Sequence, residues 1–237
     1  MATSEAVGVE TVDLATTSLR ELNRRLHECA TMDDAPRRWR VLNPSGAHSI
    51  AVGLDADIEV DVEGHAGYYC AGMNKRATVR VHGTAGQGLA ENIMSGTVIV
   101  DGNASQMAAA TGRGGLVVIK GDASSRCGIS MKGVEIAVRG SVGHMSGFMA
   151  QTGVLVVCGD AGDALGDSLY ETHIYVAGKV KSLGADCTEK DVKPHHLEEL
   201  KGILARAEFD DVDPASFRRY GSARRLYNFN IDHAGEY

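Results

Sequence analysis

The chain has 237 residues, 24 basic against 31 acidic side chains, a formal net charge of −7 and 43% hydrophobic residues. That length holds one large domain or two small ones, and the acidic balance argues against nucleic acid and anionic membranes as main partners. No apolar run approaches the ~20 residues of a membrane helix, and "MATSEAVGVE" lacks a basic region followed by an apolar stretch, so no secretory signal is visible and a cytoplasmic location is expected.

Glycine is abundant at 29 residues and aromatics are only 5%, which points to many tight turns and thin, regular packing. In chain order, "TSLRELNRRLHEC" predicts the first element. Ser18 and Glu21 form a capping-box pattern, and Leu19, Leu22, Leu26 and Cys29 follow at helical spacing. "NPSGAHSIAVGL" then leads into a repeat.

Gly64, Gly83, Gly102, Gly121, Gly140, Gly159 and Gly178 stand 19 residues apart in strict register. Four residues before each stand Val60, Val79, Val98, Val117, Ile136, Leu155 and Ile174, and two before stand Val62, Val81, Val100, Ile119, Val138, Val157 and Val176. The positions between them vary freely, from Asp61 and Arg80 to Val156 and Tyr175. Alternation with one strictly apolar face is the signature of a short strand. Two after each glycine comes Ala or Val. Seven after comes Ala71, Ala90, Ala109, Gly128, Gly147, Gly166 or Ala185, always tiny. One unit cannot bury its own apolar face, but stacked units can. The expected fold is therefore all-β: a right-handed parallel β-helix of about seven 19-residue coils spanning roughly 30 Å, with flanking helices. The glycines are expected to supply a corner backbone that a Cβ would forbid, which makes "GSVGHMSGFMAQTG" a solenoid corner rather than a phosphate loop. The pattern G-x-x-x-x-G-K-[ST] is absent, and "GTAGQG" has the wrong glycine order for a dinucleotide site.

Within the coils, "EGHAGYYCAGMNK" places Tyr68, Tyr69, Asn74 and Lys75 on one connection, and "GLAENIMSG" places Glu91 and Asn92 on the next. These groups are expected to meet on a common flank that lines a ligand channel or faces a partner. Met73, Met94, Met107, Met131, Met145 and Met149 fit gap-fillers of an irregular core. Asp160, Asp163 and Asp167 fit turns better than acid–base chemistry. His65, His82, His144 and His173 occupy different coil positions and form no ladder.

Beyond the coils, Pro194 suits the first turn of a second helix striped by Leu197, Leu200, Ile203 and Leu204. Both helices are expected to close the solenoid ends or to dock a partner. "FRRYGSARRLYNFNIDHAGEY" shows no helical or strand period. It interleaves aromatic residues with arginines, the composition of interface hot spots, so Arg218, Arg219, Tyr220, Arg224, Arg225 and Tyr227 are candidate partner anchors, with packing back onto the solenoid as the alternative. The expected division is residues 1–47 as helical cap and lead-in, 48–190 as β-helix, and 191–237 as helix and docking tail.

Cys29, Cys70, Cys127, Cys158 and Cys187 show no metal-binding spacing. No catalytic, cofactor-binding or metal-ligating residue is predicted.

"GSVGHMSG" and "GDAGDALG" both read G-x-x-G-x-x-x-G, which resembles the repeated-glycine (GXGXG) β-helix domain of the glutamate synthase large subunit. With "RELNRRL", "GYYCAGMN", "ALGDSLYE", "KSLGADC" and "FRRYGSARRLYNFN", nearly all of residues 10–237 resembles its stand-alone form, the β-helix subunit of N-methylglutamate synthase and related complexes. That resemblance implies a non-catalytic scaffold in an amine-transferring oxidoreductase, linking a glutamine amidotransferase subunit to a synthase subunit that carries FMN and iron–sulfur clusters. Consistent with this, the chain starts Met-Ala-Thr rather than with a cysteine nucleophile, and it lacks a cysteine cluster. A flavin barrel needs ~250 residues of alternating strand and helix, which the repeat leaves no room for. A related β-helix in formylmethanofuran dehydrogenase or formyltransferase/hydrolase complexes is the runner-up.

Overall fold

A computed structural model describes residues 8–32 and 34–225. Its centre is one eleven-stranded sheet in the order β1-β2-β3-β4-β5-β6-β7-β8-β9-β11-β10. Strands β1 (Val9–Asp13), β2 (Arg38–Leu42), β3 (Glu59–Val62), β4 (Thr78–Val81), β5 (Thr97–Val100), β6 (Leu116–Ile119), β7 (Lys132–Val138), β8 (Thr152–Val157) and β9 (His173–Val176) are parallel neighbours. From β3 to β9 residues pair with those 19 further on, as in Val60↔Val79, Val79↔Val98 and Val98↔Val117, except at the start of β7, where a register shift pairs Lys132 with Thr152. A second ladder of single bridges runs Ala66, Ala85, Ala104, Ala123, Val142, Ala161, Val180. This is a parallel β-solenoid of about seven coils, as the repeat predicts.

The repeated glycines work differently from the expectation. Gly64 has φ +134°, but Gly83, Gly102, Gly121, Gly140, Gly159 and Gly178 are not in the left-handed region. What they lack is room. A Cβ on Gly121 would lie 2.8 Å from the Gly102 carbonyl oxygen and against Asn103 as well. The glycines form a ladder: Gly102 N–H donates to Gly83, Gly121 to Gly102, Gly140 to Gly121, Gly159 to Gly140 and Gly178 to Gly159, at 2.8–3.0 Å. Left-handed backbone falls instead five, seven and nine residues after each glycine from Gly64 to Gly159, as at Tyr69, Ala71 and Met73 (φ +61°, +54°, +56°) or Arg126, Gly128 and Ser130 (φ +58°, +68°, +53°). The tiny residue seven after the glycine is thus the middle of this left-handed arc as well as a small lumen residue. The arc costs conformational energy at every non-glycine member. In return each N–H finds a neighbouring coil: Ala90 N–H donates back to Cys70, while Met107 and Thr111 N–H donate forward to Ser125 and Ile129.

At the first end, α1 (Leu19–Glu28) turns Leu22 and Leu26 into the core, and Ser18 Oγ accepts from Glu21 N–H at 3.2 Å. The Glu21 carboxylate binds Arg24 instead of completing the box. Helix α2 (Pro194–Arg206) does not close an end. It lies on the outer sheet face, where Leu200, Ile203 and Leu204 join Val118, Ala137, Val156, Tyr175, Phe209 and Phe217 in a second apolar cluster. Sheets buried on both faces need apolar residues at every position, which explains why the outward positions change from Asp61 and Arg80 to Val118, Ala137, Val156 and Tyr175.

The expected three-way division does not separate the sheet. Strands β1 and β2 belong to the lead-in, yet β2 pairs in parallel with β3 of the coils. The tail also contributes a strand, against the expectation of no strand period. Strand β11 (Arg218–Ser222) inserts antiparallel between β9 and β10 (Cys187–Lys190), pairing Tyr220 with both Ile174 and Glu189. Among the described residues no helix is long and apolar enough to cross a membrane.

Candidate functional site

The expected flank residues separate into two groups. Asn74 is fully buried, because ten after the glycine the chain faces the lumen: Asn74 shares that ladder with Ile93, Met131, Ala150 and Leu169. Its Nδ2 donates to Ala77 O at 2.8 Å and Ser95 O at 3.2 Å, so it closes a turn and lines no channel. Lys75 is paired with Asp55 at 2.8 Å. The others do face outward. Tyr68 is 52% exposed and stacks on His48 with ring centroids 4.0 Å apart. Tyr69 lies over two glycines, since a Cβ on Gly72 would strike its ring and one on Gly88 would touch both the ring and Glu91. Asn92 accepts from Thr111 Oγ1 at 2.6 Å.

Methionine placement departs from the expectation of core gap-fillers. Met131 is buried, but Met73, Met94 and Met149 are 40%, 43% and 41% exposed. Met73 and Met149 stand nine after their glycines, on the outward side of the left-handed arc, and Met94 stands eleven after. With Tyr68 and Tyr69 they give this flank a soft, adaptable apolar surface of the kind that accommodates a partner.

The described part of the arginine-rich tail, up to Arg225, is committed to its own solenoid. Tyr220, expected as an exposed anchor, is 1% exposed inside the sheet. Arg218 donates to Gly178 O, Arg219 to Asp191 O, and Arg224 grips Glu171 at 2.9 and 3.0 Å. Arg225 N–H donates to Asp186. Tyr227 lies outside the described residues.

Other candidate chemistry is absorbed by the fold. One residue after the glycines, side chains cap backbone N–H groups of the next coil: His65 to Thr84, Asn103 to Asp122, Asp122 to Ser141, Ser141 to Asp160 and Asp160 to Lys179, at 2.7–3.0 Å. Asp163 pairs with Lys181, which holds its carboxyl below the usual range, and Asp167 accepts from Ala185 N–H. His82 bridges Asp61 and Asp101, both at 2.9 Å. Burial pushes the Cys70 and Cys127 thiols up to about 12, which removes their nucleophilicity at neutral pH. No group of three or more His, Cys, Asp or Glu among the described residues is arranged to hold a metal ion.

The sequence reading missed a cluster under α2. Glu199 accepts from Tyr175 OH at 2.6 Å and meets His173 Nδ1 at 2.8 Å, and the buried His196 ring stands edge-on to His173 at 5.1 Å. Burial opposes the Glu199 charge, but the bonds from His173 and Tyr175 outweigh it and hold the carboxyl below its usual range. Its signal in the sequence was an apolar outward run interrupted by His173 and Tyr175, opposite a helix carrying Glu199.

No protein-family model matches the chain, and no solved structure does. A curated relative does: protein GlxC of Rhizobium meliloti (strain 1021) is 61% identical over 226 residues, covering 95% of this chain and 99% of that protein. At that identity over nearly the whole of both chains, this protein belongs to the GlxC family.

Proposed function

We propose that the chain is the scaffold subunit of a cytoplasmic glutamate-synthase-type enzyme, in the manner of N-methylglutamate synthase, and that it performs no chemistry alone. It joins a glutamine amidotransferase subunit to a synthase subunit carrying FMN and iron–sulfur clusters. The observation that carries this reading is where the polar side chains go. Those that could have formed a reactive site cap neighbouring coils or pair with each other, while apolar side chains remain exposed along one flank. The resemblance of the coil motifs to the glutamate synthase β-helix supplies the enzyme class. A stack of hydrogen-bonded coils fixes the distance between two partners better than a flexible linker does, and passing a small amine between sites needs that distance fixed. The soft flank of Tyr68, Tyr69, Met73, Met94 and Met149 is the docking surface in this reading.

The test is affinity purification of the tagged chain from its native host. Recovery of an amidotransferase and a flavoprotein, with sharply reduced recovery by a Met73→Glu/Met149→Glu variant of unchanged thermal stability, is the expected result. Recovery of the chain alone, from wild type at native expression level, contradicts the scaffold role.

A further inference from the structure

At the last coil, strands β9, β11 and β10 leave an open cleft of about 240 Å³. Its charge runs against the rest of the molecule. The chain is acidic overall, yet the cleft gathers Lys190, Arg219 and Arg224 against the single carboxylate of Glu171. Arg224 is the cation that Glu171 neutralises. Arg219 spends its Nε on Asp191 O at 3.0 Å and turns Nη1 toward the floor, 3.7 Å from where a Gly221 Cβ would sit. Lys190 has no carboxylate partner among the described residues, and its stem passes 3.6 Å from that same Gly221 position. Lys190 and Arg219 also stand directly opposite each other in the β10–β11 pair. Like charges directly opposite across two strands are destabilising. That cost is relieved by an oxyanion that accepts hydrogen bonds from both.

We infer that this cleft binds a small carboxylate anion, held by Lys190 and the Arg219 guanidinium, with Gly221 as the floor. The planar guanidinium fork matches a carboxylate. The volume falls below the ~300 Å³ at which ligand pockets for larger molecules begin, so the ligand is a small acid rather than a nucleotide or flavin. Gly221 has ordinary, unstrained surroundings, with nothing closer than 3.6 Å to an added Cβ. A side chain placed there therefore enters the cleft without disturbing β11. The inference stands on the cleft alone and is independent of the scaffold reading.

Titration of the full-length chain with succinate, acetate and inorganic phosphate by calorimetry and thermal shift, against sodium chloride at matched ionic strength, tests it. Saturable binding of a carboxylate is expected. Losing one charged hydrogen-bond partner weakens such binding about tenfold or more, so Lys190→Gln and Gly221→Leu are each expected to raise Kd by at least that factor. An equal shift with chloride, binding of phosphate without carboxylate, or unchanged affinity in Lys190→Gln overturns the assignment. Because Lys190→Gln alters a partly exposed side chain, its folding is checked by the unliganded melting temperature.

Discussion

Gly121 N–H donates to the Gly102 carbonyl at 3.0 Å, and a Cβ on Gly121 would lie 2.8 Å from that same oxygen. The hydrogen bond and the ban on a side chain go together at this corner: the coils bond here so closely that a Cβ does not fit. Gly121→Val is therefore expected to cost roughly 2–4 kcal/mol, at the upper end for single substitutions, and Gly121→Ala a large part of that. Gly202 is the contrast. It sits in α2 with nothing within 4 Å of an added Cβ, so Gly202→Ala is expected to stabilise by about 0.5–1 kcal/mol. Denaturant melts of the variants check both signs.

Asp122 Oδ1 accepts from Ser141 N–H at 2.7 Å and also crowds the site of a Gly140 Cβ. Asp122→Ala removes a backbone cap and is expected to cost about 1 kcal/mol. In the Gly140→Ala background the same change also removes a clash, so the double variant is expected to be more stable than the sum of the two losses. A strictly additive double-mutant cycle contradicts the shared contact.

How much of this was legible follows from what each signal encodes. The 19-residue register, the apolar strand face and the parallel coils were readable because identical positions stack on identical positions, so sequence period equals spatial neighbourhood. The reason for the glycines was not, because a close approach and a left-handed φ select the same residue. Docking of α2 along the sheet was half-visible: Val118, Ala137, Val156 and Tyr175 form an apolar run on the face opposite the lumen, and such a run requires a cover. Strand β11 was hidden because "RRYGS" has a glycine and two arginines where a strand is expected to alternate, and its place was decided by the last coil's need for a partner. Among the flank residues, Asn74 was misread because a polar side chain in a lumen ladder looks in sequence like a surface residue.

The cover over the sheet is expected to be acid-sensitive. Burial, aided by repulsion from Arg219, His195 and His173, holds His196 down at about 4. An unfolded histidine titrates near pH ~6.5, so between there and about 4 the unfolded chain binds a proton that the folded chain refuses. Stability present above the unfolded value is lost as the pH falls through that window, and depressed Glu199 extends the loss below the usual carboxylate range. His196 Nδ1 accepts from Lys193 N–H at 3.0 Å. Gln preserves an acceptor there without titrating, so His196→Gln is expected to flatten the pH dependence in that window, read by hydrogen exchange in 194–206.

The five cysteines are expected to be free thiols. Cys70 and Cys127 share a coil position three coils apart, roughly 14 Å at sheet spacing, beyond disulfide reach. Alkylation of the native protein at pH 8 is expected to spare both, given thiols pushed up to about 12 by burial, and mass spectrometry after denaturation is expected to count all five. A Cys70–Cys127 bridge contradicts the register.

Truncation now has two different expected outcomes. Ending the chain after Arg225 keeps every described strand, so the sheet signal in circular dichroism is expected to persist. Deleting 212–237 removes β11 with buried Phe217 and Tyr220 and uncovers the edge of β9, so a lowered melting temperature is expected, with loss of part of the sheet signal. Equal stability of the two truncations contradicts the inserted strand.

The central claim, a scaffold that holds catalysts without being one, is tested most directly by reconstitution. Glutamine-dependent amine transfer is measured with separately purified amidotransferase and flavin subunits, with and without this chain, and with this chain alone. The scaffold account predicts no turnover by the chain alone, low coupled turnover by the two partners, and full coupled turnover when all three are mixed. Glutamine turnover by the isolated chain, or full coupled activity without it, contradicts the account.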